Sequence, residues 1–267
     1  MTLDCEIVVT RSGAKAVRDR LTGELMHPVV GPAVESQRLY IAPSRLEERL
    51  RESGESLVLL DVGLGAASNA IAAWSLAHAI GRRHLTIVSF DRSTAALELA
   101  LEHGDAFGLA GDAASAARAL LDRGVHESPH VSWRLALGDL LPMLAREPAA
   151  SADVVFWDPF SPKANPDLWT LAAFTAVHRL CRDGATLHTY SRATAVRSAL
   201  LLAGFAVGEG VMLEQGRRTT EAAMHARDLR EPLDRRFLDR LGRSSAAFPV
   251  DASPDALDRV SRAAQFR

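Results

Sequence analysis

The segment from residue 154 to residue 169 contains the strongest chemical signal in this chain. Four apolar residues, Val154 to Trp157, run directly into Asp158, and a loop with three prolines follows. An apolar run that ends at an acid and enters rigid turn residues is typical of a buried parallel strand. Ligands of open α/β sheets bind beyond the carboxyl ends of the strands. Asp158 is therefore the candidate catalytic carboxylate, although an Asp-Pro turn that only closes a strand has the same sequence.

Acids also stand at the ends of three other predicted strands. Asp61 precedes a turn that contains Gly63 and Gly65, Asp91 ends the next strand, and Asp139 follows the third. Glycines let the backbone approach a ligand closely, and an acid after the second strand can bind both hydroxyls of a ribose. The pattern predicts one cleft for a nucleotide-like cofactor. Its predicted cofactor-binding residues are Asp61, Gly63, Gly65, Asp91 and Asp139.

Two classes of cofactor fit such a cleft. A nicotinamide dinucleotide favours three glycines and a helix N-terminus that is free to hold pyrophosphate. Here Ser68 stands at the third glycine position, and Asp61 lies in the first turn. A nearby acid repels pyrophosphate but suits the sulfonium and ammonium groups of S-adenosyl-L-methionine. We therefore predict S-adenosyl-L-methionine rather than a dinucleotide.

The elements that position these acids alternate between strand and helix from Leu57 onward. This alternation predicts an α/β, Rossmann-like fold with a mostly parallel sheet, helices on both faces and a terminal antiparallel hairpin. The predicted strands are Leu57–Val62, Leu85–Asp91, Val131–Leu137, Asp153–Trp157, Ala185–Tyr190, Phe205–Leu213 and Thr219–Met224. The predicted helices are Asn69–Ala79, Thr94–His103, Ala113–Arg123, Leu168–Cys181 and Thr194–Ala203.

The two ends of the chain differ from this middle part. Residues 1–52 are predicted to form a small β-rich extension, with β-like runs at Glu6–Thr10, Glu24–Pro28 and Arg38–Ile41. A capping-box pattern at Ser44 predicts a helix over Arg45–Glu52. Residues 53–229 form the predicted catalytic domain, and residues 230–267 a charged tail. Two helices are predicted in that tail, at Asp234–Leu241 and Pro254–Ala264.

Composition excludes several classes of protein. The hydrophobic content of 48% and the charged content of 24% are ordinary for a globular protein. No apolar run approaches the ~20 residues of a membrane span, and the N-terminus lacks the basic region of a secretory signal. Cys5 and Cys181 have no metal or redox spacing, so we expect free thiols, no metal and a cytoplasmic location. A net charge of −2 means that any nucleic acid must be bound by a local patch.

The loop after Asp158 suggests what the substrate is. Asp-Pro-Phe-Ser-Pro is similar to the loop of methyltransferases that modify amino nitrogens. An aliphatic amine is mostly protonated near neutral pH, and a carboxylate can orient it and help to remove its proton. Phe160 and Trp169 can stack on a base, but core packing explains them equally well. Lys163 can contact phosphate, although most exposed lysines are only solvated.

The segment from residue 154 to residue 169 resembles the methyltransferase of tRNA 5-methylaminomethyl-2-thiouridine biosynthesis, with its F-L-D-G-F-A-P-x-K-N-P-x-x-W pattern. Similarity extends over Gly23 to Met224 and includes residues 59–69, with the family pattern G-F-G-x-G-x-N. The other similar positions are His27, Pro28, Gly31, Glu35, Ser36, Asp91, Gly138, Asp139 and residues 184–204.

The resemblance implies that S-adenosyl-L-methionine methylates the aminomethyl group of a tRNA wobble uridine. Gly63, Gly65 and Asn69 would line the cofactor, Asp91 and Asp139 would hold its ribose and adenine, and Asp158 would face the amine. The implied partners are the tRNA anticodon region and a separate enzyme that supplies the aminomethyl-uridine, because many relatives carry a fused flavin-dependent oxidase. The substrate side would be shaped by Phe160, Lys163, Asn165 and Trp169.

A positive face for tRNA is predicted from four arginines, Arg192, Arg197, Arg217 and Arg218. The adjacent pair Arg217 and Arg218 is preferred as substrate-binding because it lies near the predicted cleft. All but two of the 31 basic residues are arginine, however, so scattered arginines also fit a solvated surface. Two alternatives remain. One is a small-molecule amine methyl- or aminopropyltransferase, and the other is a catalytically silent cofactor-binding module, suggested by Ala67 at a glycine position of the family.

Overall fold

The computed structural model describes residues 4–10, 12–26, 31–213 and 216–267. Their strands form an eight-stranded sheet and a separate two-stranded hairpin. The strands are β1 (Cys5–Val9), β2 (Lys15–Asp19), β3 (Leu57–Val62), β4 (Leu85–Asp91), β5 (Val125–Glu127), β6 (Val131–Leu137), β7 (Ala152–Trp157), β8 (Cys181–Thr189), β9 (Ala206–Met212) and β10 (Arg218–Ala223). The α-helices are α1 (Pro32–Ser36), α2 (Leu46–Arg51), α3 (Ser68–Ile80), α4 (Ala95–Glu102), α5 (Gly111–Arg123), α6 (Leu140–Arg146), α7 (Leu171–Leu180), α8 (Thr194–Ala203), α9 (Arg235–Leu241) and α10 (Ala256–Ser261).

The order of the strands explains where a ligand can bind. The large sheet runs β5-β6-β4-β3-β7-β8-β10-β9. Strands β6, β4, β3, β7 and β8 are parallel, whereas β5, β10 and β9 pair antiparallel with their neighbours. The chain moves outward from β3 to β4 and β6 and then returns to β7 on the other side of β3. This reversal opens a crevice at the carboxyl ends of β3 and β7, where α/β proteins bind their ligands.

Helices cover both faces of the sheet. Successive residues of β3 point to opposite sides, so Leu59 packs in one apolar core and Leu60 in another. The first core includes Trp74 of α3, and the second includes Phe174 of α7. The predicted α/β, Rossmann-like architecture is confirmed, as is the antiparallel pairing of β9 and β10.

Several predicted bounds agree with the structure to the residue. The predictions for β3, β4, β6 and α8 match their observed ends. The predicted helix Leu168–Cys181 divides into a 3₁₀ turn at Pro166–Trp169 and α7, because Thr170 caps α7 by accepting the backbone N–H of Ala173 at 3.2 Å. Strand β5 and helix α6 were not predicted. Helix α6 contains Pro142, but in the first turn, where the missing N–H has no intrahelical partner.

The N-terminal part is less β-rich than predicted. The prediction of a strand at Arg38–Ile41 was wrong, because the chain forms a π-helical turn at Gln37–Ile41 directly after α1. A short apolar run does not distinguish a strand from a buried helical turn, and Tyr40 and Ile41 are both buried. Of the run predicted at Glu24–Pro28, Leu25 forms a single bridge with Arg18. His27 and Pro28 lie outside the described residues.

The capping box at Ser44 was also a wrong prediction, although the helix that it indicated exists. Helix α2 begins after Arg45, which has a left-handed conformation with φ 54°. The Ser44 hydroxyl donates instead to the carbonyl oxygen of Ile41 at 3.0 Å. Ser44 therefore stabilises the preceding turn and not the start of α2.

The C-terminal tail is tied to the sheet by a polar clamp. The Gln265 side chain accepts the backbone N–H of Val207 at 2.7 Å and donates to the Val207 carbonyl at 3.0 Å. Cys5 and Cys181 are buried free thiols. Across the described ranges of the chain, no helix combines the length and the apolarity that crossing a membrane requires.

Candidate active site

The turn after β3 brings the glycines against the loop after β7. Gly63 has φ 93° and Gly65 has φ 51°, both in the region that favours glycine. A Cβ at Gly63 would lie 2.7 Å from the carbonyl oxygen of Asp158, which is closer than side chains tolerate. Gly63 therefore permits the close approach between the glycine turn and Asp158.

Ala67 does not face the crevice. It has φ 62°, a left-handed conformation that costs a residue with a Cβ about 1 kcal/mol. Its side chain is fully buried in the apolar core beside α3 and, in the described part of the chain, contributes nothing to the crevice wall. The alternative of a silent binding module rested on Ala67, and this placement removes the steric argument for it.

A cavity of about 870 Å³ opens at the carboxyl ends of β3, β4 and β7. Gly63 and Gly65 form part of its wall, and Asp158 and Phe160 come from the loop after β7. The N-terminal hairpin and the residues after it close another side, through Asp4, Cys5, Asp19, Leu21, Thr22, Glu24, Leu25 and Met26. The volume is in the usual range for cofactor and substrate sites.

Acidic side chains outnumber arginines in the lining of this cavity. The acids are Asp4, Asp19, Glu24, Glu35, Asp91 and Asp158. The arginines are Arg38, Arg92, Arg192 and Arg217. A surplus of carboxylates suits a ligand that carries positive charge. The residues present therefore fit S-adenosyl-L-methionine, which has both a sulfonium and an ammonium group.

Asp91 is locked to the glycine turn by its carboxylate. One oxygen accepts the backbone N–H of Gly65 at 3.0 Å, and the other accepts those of Arg92 at 2.7 Å and Ser93 at 3.2 Å. Burial raises the pKa of Asp91, and the N–H donors of Gly65, Ser93 and Arg92 oppose that rise. The carboxylate is thus fixed at the cavity wall, where it can accept hydrogen bonds from hydroxyl groups of a ligand.

We expect Asp91→Asn to weaken the binding of S-adenosyl-L-methionine by about 10- to 100-fold. The reason is that a charged hydrogen bond contributes about 1.5–3 kcal/mol. Isothermal titration calorimetry measures the dissociation constant directly. Asp112→Asn is a matched control, because Asp112 is an exposed acid in the first turn of α5. Equal dissociation constants for the Asp91 variant and the unmodified protein would remove Asp91 from the cofactor site.

Asp158 is held by two side chains from distant parts of the chain. The Tyr40 hydroxyl donates to Oδ1 at 2.5 Å, and the Asn69 amide donates to Oδ2 at 2.7 Å. The backbone N–H of Asp158 donates to the carbonyl oxygen of Val62 at 2.9 Å. The carboxylate is half-buried and lines the cavity. Asn69, predicted to contact the cofactor, therefore contacts the predicted catalytic acid.

Asp61, also predicted to bind the cofactor, lies beneath the cavity. Its side chain is 1% exposed, and Oδ2 accepts the hydroxyl of Ser89 at 2.7 Å. Among the described residues, Oδ1 has no hydrogen-bond partner. The pKa of Asp61 is raised to about 7, mainly by burial and also by the charges of Asp158 and Asp91. The hydrogen bond from Ser89 opposes this rise. At neutral pH this acid is therefore partly protonated.

The remaining predicted residues divide between the cavity and other environments. Phe160, Asn165 and Arg217, which were predicted to bind the substrate, line the cavity. Lys163 is exposed, whereas the Trp169 ring is 5% exposed and its N–H donates to the Phe160 carbonyl at 2.8 Å. Trp169 therefore packs in the core and stabilises the loop through this hydrogen bond. This matches the core-packing interpretation that the sequence left open.

Three other predicted residues are engaged in ion pairs. Asp139 is exposed and pairs with Arg92 at 2.8 Å, and Arg218 pairs with Glu231 at 2.7 Å. Arg197 cannot belong to a positive surface, because it is 3% exposed and bonds both oxygens of Glu209 at 2.8 Å. Arg192 is exposed and, like Arg217, lines the cavity.

The sequence did not reveal the residues that hold the loop after Asp158. Both carboxylate oxygens of Glu24 accept hydrogen bonds from Ser161, one from its backbone N–H at 2.8 Å and one from its hydroxyl. The Tyr190 hydroxyl donates to the carbonyl oxygen of Pro159 at 3.0 Å. A usable signal was the rarity of tyrosine: Tyr40 and Tyr190 are the two in the chain, and both lie beside Asp158.

The chain is similar to known methyltransferases in sequence. Residues 116–225 match the model of a family described as S-adenosyl-L-methionine-dependent methyltransferases. A tRNA 5-methylaminomethyl-2-thiouridine biosynthesis bifunctional protein MnmC from Burkholderia vietnamiensis is 33% identical over 199 residues, which is 69% of this chain. The MnmC protein of Polaromonas naphthalenivorans is 36% identical over 159 residues, or 56% of the chain. The matches span 30% and 25% of those two relatives, so the chain corresponds to a part of each.

The fold also matches a solved structure. The crystal structure of MnmC2 from Aquifex aeolicus superposes with a TM-score of 0.74 and 25% sequence identity, over 98% of this chain and 86% of that one. The family match and the fold confirm S-adenosyl-L-methionine as the cofactor. The chain is therefore a Rossmann-like, S-adenosyl-L-methionine-dependent methyltransferase, and its predicted resemblance to the methyltransferase of tRNA 5-methylaminomethyl-2-thiouridine biosynthesis is confirmed.

Proposed function

We propose that this protein methylates the aminomethyl nitrogen of 5-aminomethyl-2-thiouridine at the wobble position of tRNA. The observation that carries the proposal is Asp158, a carboxylate held by two hydrogen bonds at 2.5 and 2.7 Å in the wall of the cavity. It stands against the glycine turn, so a bound cofactor and an amine at Asp158 would be neighbours. The names of the MnmC relatives support the choice of tRNA as the substrate.

The reaction requires a carboxylate that binds the amine and a cavity that holds the amine next to the cofactor. Bound S-adenosyl-L-methionine supplies an electrophilic methyl group. The substrate amine arrives mostly protonated, and Asp158 binds its N–H groups and orients the nitrogen toward the methyl. The nitrogen would lose one proton, which Asp158 can accept and pass to water. Its lone pair would then form the new C–N bond as the methyl–sulfur bond breaks, and the sulfur would leave as the neutral thioether of S-adenosyl-L-homocysteine. Phe160, at the cavity wall, offers a face on which the uracil ring can stack.

The nucleic acid would contact exposed arginines that line the cavity. Arg192 and Arg217 are both exposed and both line it, which suits contact with phosphates near the anticodon. A separate enzyme would supply the aminomethyl-uridine, and the reaction would take place in the cytoplasm. Residues 53–229 would form the methyltransferase domain, between the N-terminal extension 1–52 and the helical tail 230–267.

Methyl transfer from radiolabelled S-adenosyl-L-methionine to bulk tRNA tests this proposal. The tRNA is taken from cells that lack the protein, and the product nucleosides are identified by mass spectrometry. We expect label in 5-methylaminomethyl-uridine, with or without the 2-thio group. Transfer to a panel of small amines but not to tRNA would replace the proposal with a small-molecule amine transferase. Cofactor binding without transfer to either would support a silent module.

A further inference from the structure

The Tyr40 hydroxyl is fixed as a donor to Asp158. Its side chain is fully buried, and its oxygen lies 2.5 Å from Oδ1 of Asp158. Because an ionised carboxylate can only accept hydrogen bonds, the single hydroxyl proton of Tyr40 points at this oxygen. The hydroxyl therefore has one orientation, and in that orientation it stabilises a negative charge.

Asn69 does the same at the other oxygen of the carboxylate. It lies in the first turn of α3 and is 3% exposed, and its amide nitrogen is 2.7 Å from Oδ2 of Asp158. The π-helical turn, the start of α3 and the end of β7 thus meet at one carboxylate. Each oxygen receives a buried donor, and hydrogen bonds to the charged form of a carboxylate favour that form.

We propose that Tyr40 and Asn69 are positioning residues, which keep Asp158 ionised and fix the orientation of its carboxylate toward the amine of the substrate. The identity of that amine rests on the proposed function, but the state of the carboxylate does not. A flexible or protonated Asp158 would neither attract an ammonium group nor hold its nitrogen in line with the methyl.

Other ionisable groups also lie near Asp158. Asp61 lies beneath it, and its pKa of about 7 keeps it neutral in the acid range. Tyr40 and Tyr190 are neutral there as well, because burial and the charge of Asp158 raise the pKa of both. The cavity also presents these charged groups: Asp4, Asp19, Glu24, Glu35, Arg38, Asp91, Arg92, Arg192 and Arg217. Tyr40 and Asn69 contact the carboxylate directly, and a substitution can remove either contact.

Carbon-13 NMR of the aspartate carboxyl groups tests the inference in the free protein. Asp158→Asn identifies the resonance of Asp158. Removing one donor, in Tyr40→Phe or in Asn69→Ala, is expected to raise its titration midpoint by about one to two pH units, since a charged hydrogen bond contributes about 1.5–3 kcal/mol. Tyr190→Phe is the matched control. It removes the other tyrosine hydroxyl, which donates to the Pro159 carbonyl and not to the carboxylate, so the midpoint should stay unchanged.

An unchanged midpoint in both Tyr40→Phe and Asn69→Ala would overturn the inference. Tyr40→Phe keeps the buried ring, so it tests the idea even if Asn69→Ala fails to fold. The acidic limb of the pH profile of kcat/KM on tRNA should move upward with the midpoint in the same variants. If the unmodified protein does not methylate tRNA, the proposed function fails, but the titration still decides whether Asp158 is held as described.

Discussion

Asp158→Asn should lower kcat for methyl transfer by about 10²- to 10⁴-fold, the range typical of a lost acid–base group. An amide cannot balance the charge of an ammonium group or accept its proton. It also turns an N–H₂ group toward one of the two buried donors, Tyr40 or Asn69, that contact the carboxylate. The affinity for S-adenosyl-L-methionine should stay within about twofold, because Asp91 and the glycine turn are left intact.

Single-turnover kinetics with labelled cofactor would give the rate, and calorimetry would give the affinity. Asp167→Asn is the matched control, because it makes the same change in the same loop on a side chain that is 75% exposed. We expect near-normal turnover in that variant. Turnover above one tenth of normal in the Asp158 variant would mean that the amine is bound and deprotonated elsewhere.

The prediction for Asp158 was possible because the signal is local. An apolar run that ends at an acid places that acid at the carboxyl end of a strand in a parallel sheet, and this inference does not depend on distant parts of the chain. The strands β3, β4 and β6 were also placed correctly, since each is rich in apolar residues and has turn residues on both sides. Gly63 and Asp91 reached the cavity wall for this reason as well.

Contacts between distant segments were not predictable in the same way. Tyr40 and Asp158 are 118 residues apart in the sequence, and Asn69 and Asp158 are 89 apart. The family resemblance placed Asn69 near the cofactor, but the choice between cofactor and Asp158 depends on how β7 packs beside β3. Trp169 is a similar case, because only tertiary packing determines whether a loop aromatic faces the core or the substrate.

The acid beneath the cavity makes the stability of the protein depend on pH. Asp61 has a pKa of about 7 in the folded protein, against ~3.9 for an aspartate in an unfolded chain. Between these values the folded state keeps a proton that the unfolded state has released. The free energy of unfolding therefore falls as pH rises through this range, and it stops falling above the folded-state pKa.

Asp61→Asn should remove this loss. The amide is neutral at every pH, and its oxygen can still accept the Ser89 hydroxyl that Asp61 accepts at 2.7 Å. The difference in free energy of unfolding between the variant and the unmodified protein should grow by about 3 kcal/mol from pH 5 to pH 8. The unmodified protein loses about 1.4 kcal/mol per pH unit over the roughly two units below the folded-state pKa, and the variant does not. Urea unfolding at both pH values measures the gain, and titrations that the two proteins share cancel in the difference. Asp112→Asn, at an exposed acid, should show no such gain. An equal pH dependence in Asp61→Asn and the unmodified protein would mean that Asp61 stays ionised in its buried site, so that its charge would act on Asp158 throughout the neutral range.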